Sequence, residues 1–134
     1  MTRYMLDTNM CIYVINDRPA HVLPMFNAHA SLMCISEVTR YELLYGAYKS
    51  QSTHKTLTNL QSFFARLDVL PFDAAAADHA AQIRAQLTQA GKPIGPFDNQ
   101  IAGHARSIAA ILVTNNTKEF ERVGGLMLEN WTQL

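Results

Sequence analysis

Cysteine is scarce: Cys11 and Cys34 are the only two in 134 residues. One pair cannot make a disulfide framework, and neither belongs to a CxxC or to a zinc-type Cys/His spacing. Both lie in core-like segments and are expected to be reduced, buried thiols. Excess charge is missing as well, because eleven basic and eleven acidic residues leave a formal charge of zero. That balance excludes a strongly basic surface, so any nucleic-acid binding must rest on local patches. No apolar run approaches membrane-spanning length. Asp7 interrupts the opening segment before a signal-peptide core could form. These absences lead us to expect a cytoplasmic protein that stays out of the membrane. Repeats, low-complexity stretches and charge blocks are absent too.

Several chemistries drop out for want of their motifs. There is no GxxxxGK[ST] or GxGxxG to cradle a nucleotide and no GxSxG nucleophile elbow. His21, His29, His54, His79 and His104 show no HExxH spacing. A haloacid-dehalogenase-like phosphatase would place DxD after the first strand, where this chain has Asp7-Thr8-Asn9.

What is present is a 49% hydrophobic chain of single-domain length. Short apolar runs alternate with longer segments of helical period. The strand candidates are Tyr4–Leu6, Leu32–Ile35, Leu67–Pro71, Ala110–Thr114 and Leu126–Leu128. Helices are expected over Met10–Ile15, over Ala20–Ala30 with Pro24 inside, from Ser36 as cap, and from Thr53 as cap to about Arg66. Another runs from Asp73 to Ala90, with Gly91 closing it. In the helix after Ser36, the spacing of Val38, Tyr41, Leu44, Tyr45 and Tyr48 predicts one apolar face, with the tyrosines in the core or at a subunit contact rather than serving as base-stacking platforms. The Gly91–Pro96 segment is a breaker-rich loop, Asp98 follows it into a further helix, and a short helix carries Glu119–Glu121. Strands separated by helices imply right-handed crossovers and a mainly parallel sheet covered on both faces. In such sheets function gathers at the carboxyl ends of the strands.

That rule gives the acidic residues their interest. Asp7 ends the first strand, Glu42 borders the apolar face of the helix after strand two, Asp98 follows the Gly/Pro loop, and Glu119 follows the fourth strand. Taken singly, Asp7 and Asp98 read as helix caps, and Glu42 and Glu119 as solvated helix charges. Taken jointly, they can meet at one sheet edge. Crowded carboxylates raise one another's pKa unless a cation holds them, and Mg2+ or Mn2+ suits an all-oxygen donor set. Such an ion can activate water for attack on a phosphodiester without a nucleophilic side chain. His104 reads as a helix-packing or surface residue. Arg40, Lys49, Lys92, Arg106 and Lys118 are candidate phosphate contacts, each also readable as surface charge.

The segments YMLDTNMCIYVI, CISEVTRYELLYGA, GKPIGPFDNQIAGHA and LVTNNTKEFERV occur in this order over nearly the whole chain. Together they resemble the successive motifs of VapC-type PIN-domain toxins, the enteric-type subgroup in particular. The resemblance implies one domain over residues 1–134, a three-layer α/β/α fold with a mainly parallel five-stranded sheet. It implies a Mg2+- or Mn2+-dependent endoribonuclease, with Asp7 and Asp98 as metal ligands and Glu42 as the third acid. Where many PIN domains have a fourth aspartate this chain has Asn116, so Glu119 becomes the candidate for the missing charge and a one-metal mechanism is preferred. The resemblance also implies a homodimer and a VapB-type antitoxin that covers the acidic pocket and carries the contact with promoter DNA. The expected substrate is RNA, namely tRNA, with the anticodon stem-loop of initiator tRNA as the specific candidate. A PIN-like module that only binds is the competing expectation.

Overall fold

The computed structural model describes residues 2–132. Its centre is a parallel five-stranded sheet in the order β3-β2-β1-β4-β5. The strands are β1 (Tyr4–Leu6), β2 (Met33–Ser36), β3 (Asp68–Leu70), β4 (Ile111–Val113) and β5 (Met127–Glu129). The helices are α1 (Thr8–Asn16), α2 (Val22–Ala28), α3 (Glu37–Tyr48), α4 (Thr53–Phe64), α5 (Ala74–Gln89), α6 (Pro96–Ser107) and α7 (Thr117–Phe120). A 3-10 turn over Ala30–Leu32 takes Leu32 out of the second strand. The α/β class and the five-stranded parallel sheet are as the sequence led us to expect.

Alternation along the strands feeds two cores. Leu6, Met33, Ile35 and Val113 face a cluster with Met10, Val14, Phe26, Leu60 and Phe63. Met5, Cys34 and Leu112 face the other way, toward Ile83, Leu87, Ile101 and Ala105. The two cores make three layers. Cys11 and Cys34 are free and buried, as expected. Trp131 closes the first core against Tyr4 and His29.

Local chemistry explains most helix ends. Asp7, Ser36 and Asp73 each cap a helix by accepting a backbone N–H. Asp17 ends α1 in the left-handed region at φ 52°, whereas α5 is capped by Ala90 and not by Gly91, which follows that cap at φ 69°. Pro24 sits in the first turn of α2, where a missing N–H costs nothing.

Three expectations need correction. Thr53 does not cap α4: Ser52 occupies the cap position, and the Thr53 hydroxyl donates back to the Ser50 carbonyl. Asp98 is not a cap either, since α6 starts at Pro96 and Gly95 precedes it, leaving Asp98 in the first turn. The tyrosines of α3 are not core residues. Tyr41, Tyr45 and Tyr48 are 57%, 59% and 66% exposed, and the helix buries Val38, Thr39, Leu43 and Ala47 instead. The 3–4 spacing that reaches the tyrosines runs one helix edge away from the face the sheet covers.

The two halves of the sheet wind outward from β1 in opposite directions. The chain goes from β1 to β2 and β3 on one side, then crosses back to β4 and β5 on the other. The boundary between β1 and β4 is therefore the switch point, and the carboxyl ends of these two strands are where sheets of this kind place their sites.

Candidate active site

Asp7 stands at that switch point. It is the first residue after β1, its own N–H is bonded to the Val113 carbonyl of β4, and it is only 4% exposed. Its carboxylate accepts the Met10 N–H at 2.9 Å and a hydrogen bond from the Thr114 hydroxyl. Burial raises its pKa above the ordinary carboxylate range, and the charges of Glu42 and Glu119 push the same way. The two donated hydrogen bonds work in the opposite sense. Asp7 is thus both a cap and a member of the acidic group, so the bland and the functional reading hold together.

Glu42 enters from α3. Its Oε1 accepts the Thr8 hydroxyl at 2.6 Å, which ties α3 to the first turn of α1. Asp98 enters from the first turn of α6, half-buried, and its carboxyl is pushed up to about 7. Loss of solvent is the largest cause, followed by a hydrogen bond and repulsion from Glu119, then the charges of Asp7 and Glu42. Glu119 enters from α7 and is held on both oxygens. Oε1 accepts the Gly95 N–H at 3.2 Å and Oε2 accepts the Asn116 side-chain amide at 2.6 Å.

Four separate elements therefore bring Asp7, Glu42, Asp98 and Glu119 within electrostatic reach of one another. Among the described residues, no three Asp, Glu, His or Cys side chains already stand so as to hold a metal ion. What the group does show is the signature of uncompensated negative charge. Two acids are driven toward their protonated forms, and every donor atom is a hard oxygen. That chemistry suits magnesium or manganese, which favour all-oxygen donor sets. Asn116 has a defined place in it: it is the amide donor that orients Glu119.

The sequence reading missed two hydroxyls. Thr8 holds Glu42, and fully buried Thr114 bonds Asp7 while accepting the Asn116 N–H at 2.9 Å. Their signal was adjacency, one following Asp7 and the other ending β4, but a threonine beside a strand end is too common to stand out. His104 belongs elsewhere. It is buried, its Nδ1 lies 2.7 Å from the Ser36 hydroxyl and its ring packs edge-on to Phe72. Burial lowers its pKa, which suits a neutral packing residue. Arg106 is also committed, donating to His79, Gln82 and the Gly124 carbonyl. Among the described residues, no helix is long and apolar enough to cross a membrane.

Comparison with known proteins identifies the family to which this fold belongs. The PIN domain family matches residues 4–126. A protein of Shigella flexneri named tRNA(fMet)-specific endonuclease VapC is 56% identical over 132 residues, covering 98% of this chain and 100% of that one. The crystal structure of DNA-bound VapBC from Salmonella typhimurium superposes with a TM-score of 0.93 at 48% identity, over 98% of this chain and 99% of the other. VapBC2 from Rickettsia felis, bound to a fragment of its promoter, gives 0.91 at 38% identity, over 97% and 99%. With the same fold, near-complete coverage and four acids gathered at the switch point, the chain belongs to the PIN-domain family, in its VapC-type branch.

Proposed function

We propose that this chain is a Mg2+- or Mn2+-dependent endoribonuclease, the cytoplasmic toxin of a toxin–antitoxin pair, neutralised by a VapB-type antitoxin. The observation that carries this reading is the convergence of Asp7 at the start of α1, Glu42 of α3, Asp98 of α6 and Glu119 of α7 within electrostatic reach of one another. The names of its relatives add the substrate, which we propose to be tRNA, specifically initiator tRNA at its anticodon stem-loop.

Asp7 and Asp98 would hold the metal, and Glu42 and Glu119 would complete the negative surround. A bound ion there supplies charge neutralisation at the phosphodiester and a more acidic water. The remaining roles fall to this chain's own residues. Thr114 and the Met10 N–H fix the orientation of Asp7, and Thr8 fixes Glu42. Asn116 and the Gly95 N–H hold Glu119 against Asp98, where the pair can share a proton. These bonds keep the acids from splaying apart to relieve their repulsion.

A cleft of about 290 Å³ adjoins Thr8 and Glu42, with Ile12, Ile15, Leu43 and Leu60 among its apolar lining. It supports the antitoxin reading, since an apolar arm laid there would bring a basic side chain to the carboxylates. Promoter DNA would then be contacted through the antitoxin, in keeping with this chain's zero net charge.

The test is cleavage of tRNA by the purified protein with and without divalent ion. We expect Asp7→Asn and Asp98→Asn each to lose about 10²-fold or more in rate while keeping their circular dichroism spectra. Full cleavage by both variants would refute the site.

A further inference from the structure

Among the described residues His104 is the one buried histidine, and the acidic group does not use it. It lies in the last turn of α6, and its partner is Ser36, which ends β2 and caps α3. Nδ1 stands 2.7 Å from the Ser36 hydroxyl oxygen, and that oxygen also accepts the Val38 N–H at 3.1 Å. Which of the two side chains donates follows by elimination. Ser36 is fully buried, so its hydroxyl proton is shut off from water, and among the described residues its one acceptor is Nδ1. A buried hydroxyl without an acceptor is costly. Ser36 therefore donates to Nδ1, and His104 is the neutral tautomer with its proton on Nε2. The Phe72 ring, edge-on at 5.7 Å, packs against the imidazole in that orientation.

This bond fixes the register of two helices that deliver acids. α3 and α6 meet where Ser36 bonds His104 and again where the Tyr41 and Phe97 rings lie 5.6 Å apart. As residue numbers rise on α3 they fall on α6, so the helices pass antiparallel. Glu42 is six residues beyond Ser36 on α3, and Asp98 is six residues before His104 on α6. The register that sets Ser36 on His104 thus carries Glu42 toward Asp98, about 9 Å along each helix. The charge of Glu42 does act on the Asp98 carboxyl. Ser36 is itself a fixed point, because its backbone pairs with Leu70 of β3 in the sheet. His104 fastens α6 to that point, against a repulsion that would drive the two acids apart. Such a constellation works only when it is held to within about 0.5 Å.

We propose that His104 is a positioning residue whose neutral imidazole, accepting the Ser36 hydroxyl, latches α6 to the start of α3 and so sets the spacing of Asp98 and Glu42 for a divalent ion. The latch deepens the metal-dependent ribonuclease reading and rests on it. His104 acts through the two helices, and its loss is felt in metal affinity.

The test is calorimetric titration of the full chain with Mn2+, at a temperature where circular dichroism shows every variant folded. Two substitutions separate latching from packing. His104→Phe keeps a ring against Phe72 and removes the acceptor. His104→Asn removes the ring and keeps an acceptor, its amide oxygen, close to where Nδ1 stood. His104→Phe should weaken Mn2+ binding about tenfold. His104→Asn should bind nearly as the unaltered protein does, although its thermal midpoint falls. Ser36→Gly keeps a serviceable helix cap and should match His104→Phe, giving the same reading should that variant not fold. The double variant should lose no more affinity than either single one. The ring-nitrogen chemical shifts of His104 should place its proton on Nε2. Unchanged Mn2+ affinity in His104→Phe and Ser36→Gly, or equal losses in His104→Phe and His104→Asn, would overturn the latch and leave a packing residue, with the ribonuclease intact. So would a proton on Nδ1. Failure of the unaltered protein to bind Mn2+ would remove the metal-dependent reading and the latch with it.

Discussion

At the scale of single residues, the governing fact is that Asp7 and Asp98 are held where their ionised forms are disfavoured. Both carboxyls have folded-state pKa values raised above the unfolded value, Asp98 to about 7. The native state thus binds more protons than the unfolded chain between about pH 4 and pH 7. Their contribution to stability is present at the acid end of that window and is lost as pH rises through the folded values. Without divalent ion, the thermal midpoint should therefore fall as pH goes from 5.5 to about 7.5. Asp98→Asn should flatten this slope, and an unchanged slope in that variant would show that Asp98 does not carry the proton. Asn116 is decided at the same scale. An aspartate there would put a second negative charge against the Glu119 oxygen that Asn116 now bonds at 2.6 Å. Asn116→Asp should lower the metal-free midpoint, and magnesium should recover more of the loss than it adds to the unaltered protein.

At the scale of elements, the contact between α5 and α6 sets where Asp98 can be. Gly103 of α6 faces Ala80 of α5 so closely that a Cβ would stand 2.5 Å from the Ala80 backbone nitrogen. The buried Asn99 side chain adds a hydrogen bond to the Ala80 carbonyl at 2.9 Å. Gly103→Ala must push the helices apart. It should cost about 1–3 kcal/mol or more in urea denaturation and reduce RNA cleavage as well, because Asp98 rides on the same helix. Ala80→Gly, which removes one of the crowded atoms, should recover part of the stability. Elements were the most legible level of the sequence, for physical reasons. Asp7, Ser36 and Asp73 cap helices through their own side chains, and β1, β2 and β4 are short apolar runs buried on both faces. Of the two alternatives for the α3 tyrosines the core one failed, because helical spacing reports that a face exists without reporting which face the sheet covers. Ser52 and Gly95 precede their helices without a side-chain cap bond, so those starts carry weaker signals, a serine beside Thr53 and Pro96 at the first position of α6.

At the scale of the whole molecule, the two cores share one sheet, so unfolding should be cooperative. Trp131, the single tryptophan, packs between Tyr4 and His29 at the first core. Its fluorescence should melt at the same midpoint as the backbone dichroism, and two separated transitions would show that the cores unfold independently. A divalent ion that binds only the folded carboxylate group should raise that shared midpoint. At about a hundred times its Kd the gain is about 2.7 kcal/mol. Asp7→Asn and Asp98→Asn should each abolish most of it, a readout independent of catalysis.

The sequence alone determined the class of fold, the order of strands and helices, and the identity of the four acids, because apolar period, caps and breakers are local properties written residue by residue. The segments that resemble VapC-type toxins supplied the chemistry proposed for those acids. Only the tertiary structure decided that β1 and β4 lie side by side, since β4 returns across the sheet after two helices. That return places Thr114 on Asp7 and brings Glu119 against Asp98. It also decided that the tyrosines of α3 face outward, beside Phe97. Burial and pairing across more than fifty residues depend on which surfaces meet, and no local pattern in the chain records that.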